Sequence, residues 1–334
     1  MAASQKLPMM PGSATDPYHI YHAEAYILKG ELEQPIKQPV QEYGRVVLES
    51  RRETFITQSV GETTIEGLIS FKRGHTRVAG VHVGQKTDIY GQDHAGWVTL
   101  STAAIEGYNV EDILTADRLV AQLSTEHPLT EDPKYPIGHF PRVNFIGTRF
   151  ENLRIGGFPV EVELDLGFCG PRPEGNRSYL QDGSFLDRVR RQLDDVVESR
   201  DLPEGLEKTY GAEITYIDNL KRRAKEGADG GAKGYPKLRC SLVKKIKLPV
   251  EIPGVRTFGN AVFIRDFGTV YLAELEVGVS EGHSDSPHSK SASALPRASD
   301  SNYFMLNMLD VRLGCPVAGS TQAAKIVGNG QSYP

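Results

Sequence analysis

The first residues of the chain that could do chemistry are two histidines and a carboxylate. The stretch YHIYH occupies residues 18–22 and supplies His19 and His22, and Glu24 follows two positions later. Imidazole nitrogens and carboxylate oxygens are common ligands of zinc and other transition metals. In a strand, His22 and Glu24 share one face and His19 points to the other, so a strand alone does not assemble three ligands. We take His19, His22 and Glu24 as a candidate metal site, with a polar strand edge as the alternative.

The stretch YGQDHAGW at residues 90–97 holds a second candidate site. It places Asp93 and His94 close to Trp97, the single tryptophan of the chain. A carboxylate can orient a neighbouring imidazole, and an indole ring offers a large apolar contact surface. We predict that Asp93, His94 and Trp97 form a ligand-binding loop, with a polar hairpin turn anchored by an aromatic ring as the alternative.

Cysteine and glycine patterns do not indicate a cofactor. The three cysteines, Cys169, Cys240 and Cys315, form no C-x-x-C pair. They argue against a disulfide framework and against a zinc site made of cysteine alone. The stretch GADGGAKG at residues 227–234 lacks the Gly-Lys-Ser/Thr ending of a phosphate-binding loop. We therefore expect no cofactor and no identifiable catalytic residue, and a protein without enzymatic activity is favoured.

A short phrase occurs twice and predicts structural turns. NLRIGGFPV begins at residue 152 and DVRLGCPV begins at residue 310, and both continue from Arg through an apolar residue and Gly to Pro-Val. Glycine accepts positive φ in tight turns, and proline is tolerated where a strand begins. The predicted structural turn residues are Gly156, Gly157, Pro159, Gly314 and Pro316.

Most of the chain alternates apolar and polar residues with a period of two, interrupted by Gly and Pro. This pattern is typical of strands that bury one face. It predicts a mainly β protein, an antiparallel β-sandwich or barrel of many short strands with one inserted helix. The candidate strands are 18–32, 45–60, 63–71, 76–83, 97–106, 115–123, 150–155, 159–166, 212–217, 238–248, 260–264, 269–279, 303–313 and 321–327.

The inserted helix is predicted over residues 184–199, because apolar residues recur there at a spacing of three and four. A second, short helix is possible around residues 218–226. The ends of the chain, 1–17 and 318–334, are long and extended enough to reach a neighbouring subunit. The predicted organisation is a flexible N-terminal arm (1–17), the first half of a β-domain (18–166), a mixed insertion (167–236), and the second half of the β-domain (237–334) with a disordered loop (282–300).

The overall charge and the hydropathy exclude some partners. The net charge is -5, so the whole chain does not carry the positive charge that nucleic-acid binding requires. No run of 18 apolar residues occurs, and no signal peptide is seen at the N-terminus. We expect no nucleic-acid partner, no transmembrane segment and, by default, a cytoplasmic location.

Several segments resemble bacterial surface proteins grouped as choice-of-anchor P. The similar segments are LTADRLVAQLSTEHP (114–128), FIGTRFENLRIGGFPVEVELD (145–165), FGTVYLAELEV (267–277) and MLDVRLGCPVAGSTQAAKIV (308–327). The resemblance covers about half of the chain in short pieces. It implies a β-protein at the cell surface or outside the cell, and it identifies no catalytic residues.

These observations leave three functional classes. The first is a non-catalytic structural or self-assembling β-protein, a homo-oligomer held through its N-terminal arm. The second is a carbohydrate- or lipid-binding β-protein, and the third is a hydrolase whose site converges from distant strands. The first is favoured, because unpaired edges of a large sheet need a partner or protection.

Overall fold

Long antiparallel strands form most of the described chain. A computed structural model describes residues 18–34, 37–87, 93–128, 140–174, 177–199, 202–226, 237–280, 301–314 and 317–333. The predicted N-terminal arm, the predicted loop 282–300, Cys315 and Pro316 lie outside these ranges.

The strands fall into two groups along the chain. Before the helices lie β1 (Tyr18–Gln34), β2 (Gln38–Tyr43), β3 (Val46–Ser50), β4 (Thr54–Val60), β5 (Thr63–Ile65), β6 (Ile69–Phe71), β7 (Arg73–Thr87), β8 (Asp93–Val110), β9 (Leu114–Pro128), β10 (Arg142–Asn144), β11 (Arg149–Glu151), β12 (Arg154–Ile155), β13 (Phe158–Pro159) and β14 (Glu161–Leu164). A 3-10 turn (Tyr179–Gln181) leads into α1 (Gly183–Val197) and α2 (Glu204–Glu226). After them come β15 (Lys237–Ser241), β16 (Val243–Lys247), β17 (Val255–Phe258), β18 (Ala261–Ile264), β19 (Gly268–Ser280), β20 (Ser301–Leu313) and β21 (Ala318–Tyr333).

Two large antiparallel sheets pack against each other. The nine-stranded sheet has the order β17-β18-β19-β20-β21-β1-β2, with β15 beside β19 and β3 beside β1. The ten-stranded sheet has the order β13-β12-β9-β8-β6-β5, with β7 beside β8, β4 beside β7, and β10 and β11 beside β9. Strands β1 and β21 lie against β7, β8 and β9. Neither sheet closes on itself in the described part of the chain, so the predicted mainly β fold is confirmed in its sandwich form.

Strand β1 joins the two ends of the chain. It pairs with β21 from Tyr18 opposite Tyr333 to Gln34 opposite Ala318. On its other side β21 pairs with β20, so residues 318–333 lie inside the nine-stranded sheet. The expectation that this C-terminal segment extends toward a neighbouring subunit is wrong, because its backbone groups are already paired within the same chain.

The sheets approach closely where β1 crosses β7. A β-carbon on Gly80 would collide with the ring of Tyr21, and one on Gly74 would collide with Ile27. Both Tyr21 and Ile27 are fully buried. Glycine at these two positions of β7 therefore lets large side chains of β1 fill the interior between the sheets.

Helix α1 forms where the spacing of apolar residues predicts it. The carboxylate of Asp182 accepts hydrogen bonds from the backbone N–H groups of Ser184 and Phe185 and so caps the N-terminus. One face of the helix is buried and consists of Phe185, Leu186, Val189, Leu193 and Val196.

The prediction of a single long helix is wrong, because α2 is longer than α1. Residues 212–217, predicted as a strand, lie within α2, and the short helix expected at 218–226 is its C-terminal part. The letters AEITY alternate over five positions, but apolar residues continue at helical spacing through Leu206, Tyr210, Ile214, Ile217 and Leu220. The longer helical pattern decides the structure. Of the helices described, neither combines the length and the apolar character needed to cross a membrane.

The two copies of the repeated phrase have different structures. Gly156 and Gly157 form the turn between β12 and β13, with φ of +55° and +81°. Pro159 ends the short strand that follows. Gly314 instead follows the end of β20, has no positive φ, and donates its backbone N–H to the carbonyl of Phe267 at 2.7 Å. The first copy is a tight hairpin, and the second terminates a long strand.

The hairpin turn gives a stability prediction. Replacing Gly156 and Gly157 with alanine should lower the free energy of unfolding by about 1–2 kcal/mol per residue, because L-residues disfavour the left-handed region. No atom within 4 Å would block the Gly157 β-carbon, so the cost is in the backbone. Gly61→Ala is the matched control, since Gly61 also has open space but no positive φ. Urea denaturation measures the free energy of unfolding of each variant. If Gly61→Ala lowers it as much as the change at Gly156 or Gly157 does, the turn is not strained.

Candidate functional site

Three rings from three strands meet between the sheets at one end of the sandwich. His19 of β1 stacks on Trp97 of β8, with 5.2 Å between ring centroids and an angle of 8° between the planes. His127 of β9 lies 4.7 Å from His19, measured between ring centroids. All three side chains are buried. The structure thus brings a predicted metal residue and a predicted ligand-binding residue together.

His127 was not predicted from the sequence. It lies directly opposite Trp97 in the pairing of β8 with β9. The alternation of buried and less buried residues at the end of β9 places His127 on the buried face. Its position opposite Trp97 depends on the register between β8 and β9. Sequence alternation identifies the face of a residue and not its neighbour on the next strand.

The other predicted metal ligands lie away from the ring cluster. His19 and Tyr21 point into the sandwich, whereas His22 and Glu24 lie on the opposite face of β1. Glu24 accepts a hydrogen bond of 2.5 Å from the hydroxyl of Tyr26 on that face. Within the described residues, no group of three or more His, Cys, Asp or Glu side chains has the arrangement of a metal site.

The backbone of the predicted ligand-binding loop is partly described. Strand β8 begins at Asp93, which pairs with Thr87, and His94 pairs with Lys86. The side chains of Asp93 and His94 lie outside the description, so their binding role stays a prediction. Trp97 is 8% exposed and belongs to the ring cluster.

The electrostatics of the ring cluster favour a neutral His19. Burial, with a smaller contribution from the neighbouring His127, lowers the pKa of His19 from 6.5 to about 2. His19 is therefore uncharged in the folded protein at neutral pH. A neutral, stacked imidazole contributes packing between the sheets in the way that other aromatic residues do.

Strand β4 forms an exposed edge of the ten-stranded sheet. Among the described strands it pairs only with β7. Its residues from Thr54 to Ser59 are exposed, including 68% of Phe55 and 38% of Ile56. No residue of TFITQSV is charged. Such an edge presents unpaired backbone N–H and C=O groups beside apolar side chains.

Opposite charges flank this edge strand. Arg52 lies two residues before β4, and Glu62 lies two residues after its end. Both are exposed, and neither forms an ion pair with any other described residue. Arg51, Arg52 and Glu53 together carry one net positive charge before β4, and Glu62 gives the other end a negative charge.

A cleft lies between the helices and the nine-stranded sheet, and we call it the helix–sheet cleft. It encloses about 600 Å³ including space open to solvent, and α1, α2, β15, β19 and β20 contribute to its walls. Its polar side chains include Tyr210, Glu213 and Glu274. No sequence pattern identifies this group, because the three residues come from a helix and a strand far apart in the chain.

One stretch bears on the hydrolase alternative. GVSEG at residues 278–282 has the spacing of the nucleophile motif G-x-S-x-G. That motif works at a sharp turn from a strand into a helix. Here Ser280 is the last residue of β19 and pairs with Ser301 of the antiparallel strand β20, the next described element. The described strands therefore do not provide the setting that the motif requires.

A family model matches most of the chain. It is described as a domain of unknown function (DUF8256) and covers residues 19–278, from β1 to β19. No curated protein and no solved structure matches the chain. Strands β20 and β21 follow the matched region.

The buried His19 gives a pH prediction. Its pKa in the folded state lies below the unfolded value of 6.5, so below pH 6.5 the unfolded chain binds a proton that the folded protein does not. Stability should fall as the pH drops below 6.5, by at most about 1.4 kcal/mol per pH unit for this one proton. His19→Phe should reduce that slope, measured by urea denaturation between about pH 4 and 7.

The control for this prediction is His75→Phe, because His75 is an exposed histidine of β7. His19→Phe should change the slope more than this control does. Equal slopes for the wild type and His19→Phe would show that His19 takes up a proton in the folded protein.

Proposed function

The chain belongs to the DUF8256 family, a family of unknown function, and we propose that it is a non-catalytic β-protein that self-associates through the edge of β4. The observation that carries the proposal is the exposed, uncharged edge of β4 with its apolar residues Phe55 and Ile56. The occupant is a second copy of the chain, which places β4 antiparallel to β4.

The sequence around β4 supports a two-fold pairing centred on Thr57. In that register Thr54 lies opposite Val60, and Ile56 lies opposite Gln58 of the second copy. Arg52 then lies opposite Glu62 at both ends of the pair. Opposite charges facing each other across strands are favourable, and a two-fold interface repeats each favourable contact.

Other edge strands of the two sheets have protective features that β4 lacks. β2 contains Pro39 and Glu42, β17 contains the exposed Arg256, and β13 has only two residues, one of them Pro159. Proline, charge and short length are the usual means of preventing edge-to-edge pairing. β4 has seven residues and contains neither proline nor a charged residue, which supports this edge as the site of association.

The predicted alternative route to self-association is the N-terminal arm, which lies outside the described residues. The predicted location at the cell surface rests on the resemblance to choice-of-anchor P proteins and is a separate proposal. Deletion of residues 1–17 separates the two routes, because it leaves β4 intact.

The first experiment changes the apolar edge. Ile56→Lys should convert a dimer to a monomer in light scattering after size exclusion, since a lysine on the edge opposes pairing. Ile146→Lys is the control, because Ile146 is 68% exposed in a turn away from the edge. A monomeric wild-type protein, or a dimer unchanged by Ile56→Lys, would contradict the proposal. A mass that falls only on deletion of residues 1–17 would assign association to the arm.

The second experiment tests the register. Arg52→Glu and Glu62→Arg should each raise the dimer dissociation constant by about two- to fivefold, as expected for exposed ion pairs. The double change restores opposite charges across the interface and should return the constant toward the wild-type value. If the double variant is weaker than both single variants, the two residues do not face each other.

A further inference from the structure

The helix–sheet cleft has an apolar wall and a polar wall. Leu193 and Val196 of α1 and Leu206 of α2 form apolar lining, and all three are buried. Glu213 of α2 and Glu274 of β19 lie on the polar side. Clefts of this kind, mostly apolar with a few convergent polar groups, are typical of small-molecule sites.

The two carboxyl groups of the cleft have no direct partner. Neither Glu213 nor Glu274 forms a hydrogen bond or an ion pair with another residue of the described chain. Burial raises the pKa of both carboxyl groups; the guanidinium of Arg239 opposes this shift, and the carboxylate of Glu276 adds to it. A carboxylate removed from water without a hydrogen-bond donor or a cation is unfavourable.

The arginines of the cleft are already engaged by other carboxylates. The guanidinium of Arg312 lies 3.3 Å from a carboxylate oxygen of Asp310 and 4.4 Å from the ring centroid of Tyr271. The Nε of Arg239 lies 3.5 Å from a carboxylate oxygen of Glu276. Each arginine is thus paired with a carboxylate other than Glu213 and Glu274.

A buried hydroxyl group points to a ligand independently of the carboxylates. Tyr210 is 8% exposed, and its hydroxyl has no hydrogen-bond partner among the described residues. It interacts electrostatically with Tyr271, Glu274 and Arg312, which all line the cleft. Buried hydroxyl groups in native proteins are almost always hydrogen-bonded, so this one indicates a missing partner.

A second acceptor lies beside Glu274. Asn307 of β20 is directly opposite Glu274 in the sheet register and is 1% exposed. Its side-chain oxygen also has no hydrogen-bond partner in the described chain. Residues opposite each other on paired strands have β-carbons about 4.5–5.5 Å apart, so Asn307 and Glu274 are neighbours in the sheet.

We infer that the helix–sheet cleft binds a small aliphatic amine in its ammonium form, held by Glu213 and Glu274. An ammonium group has a positive charge and three N–H donors, which matches two carboxyl groups and a hydroxyl that can accept. The alkyl chain packs against Leu193, Val196 and Leu206. A neutral polyol would supply hydrogen bonds but no positive charge for the two carboxyl groups. The inference does not depend on self-association, because β4 belongs to the other sheet.

The test compares a charged ligand with its neutral analogue. Isothermal titration calorimetry of the full chain with butan-1-amine should show binding. Butan-1-ol should bind at least about tenfold more weakly, a difference in binding free energy of about 1.4 kcal/mol. Nα-acetyl-lysine amide is titrated in parallel. If it binds more tightly than butan-1-amine, the ligand of the cleft is the ammonium group of a lysine side chain. If it binds more weakly, the ligand is a free small amine.

Variants assign the binding to the named residues. Glu274→Gln and Glu213→Gln should each raise the dissociation constant about tenfold. Tyr210→Phe removes only the hydroxyl and should raise it less. Glu207→Gln is the control, because Glu207 is an exposed carboxylate of the same helix outside the cleft.

The inference is overturned if butan-1-amine does not bind, if butan-1-ol binds equally well, or if Glu207→Gln weakens binding as much as Glu213→Gln. Circular dichroism melting establishes that each variant is folded. Should Glu274→Gln not fold, Glu213→Gln and Tyr210→Phe still decide the outcome, since their residues lie on α2 and outside the sheet.

Discussion

The pairing of β1 with β21 is the constraint on which the rest of the fold depends. It joins the two ends of the described chain along the whole of β1, and contacts so distant in sequence form only after a large loss of chain entropy. The burial of Tyr21 and Ile27 against the glycines of β7 offsets that loss. The same strand holds His19 against Trp97, so the ring cluster exists only once both sheets have assembled around β1.

The sheet extends beyond the region that the family model matches. The match ends at residue 278, yet β20 and β21 lie between β19 and β1 in the nine-stranded sheet. Within the matched region alone, β19 and β1 are not neighbours. The strands that follow the match therefore complete the centre of this sheet, where each strand is paired on both sides and contributes most to cooperative stability.

Sequence patterns predicted the elements better than their partners. Period-two alternation identified long strands such as β8, β9 and β19, and apolar spacing identified α1, because these patterns repeat over many residues. The prediction from alternation failed at residues 212–217, where a short alternating stretch lies inside α2. It also could not show that residues 318–333 lie between β20 and β1, or that His127 faces Trp97. Alternation records which face of a strand is buried, but pairing between distant strands is decided by the whole fold.

The two surfaces proposed for binding, the edge of β4 and the helix–sheet cleft, differ in how far water can hydrate their polar groups. The backbone groups along β4 are exposed and can be hydrated, so pairing with a second strand exchanges one set of hydrogen bonds for another and gains mainly from covering Phe55 and Ile56. The hydroxyl of Tyr210 is buried, and Glu274 is partly withdrawn from water. A ligand that donates hydrogen bonds to these groups supplies interactions that are otherwise missing, and it does not have to displace bound water. Each polar contact in the cleft therefore contributes more to binding than a polar contact at the edge of β4.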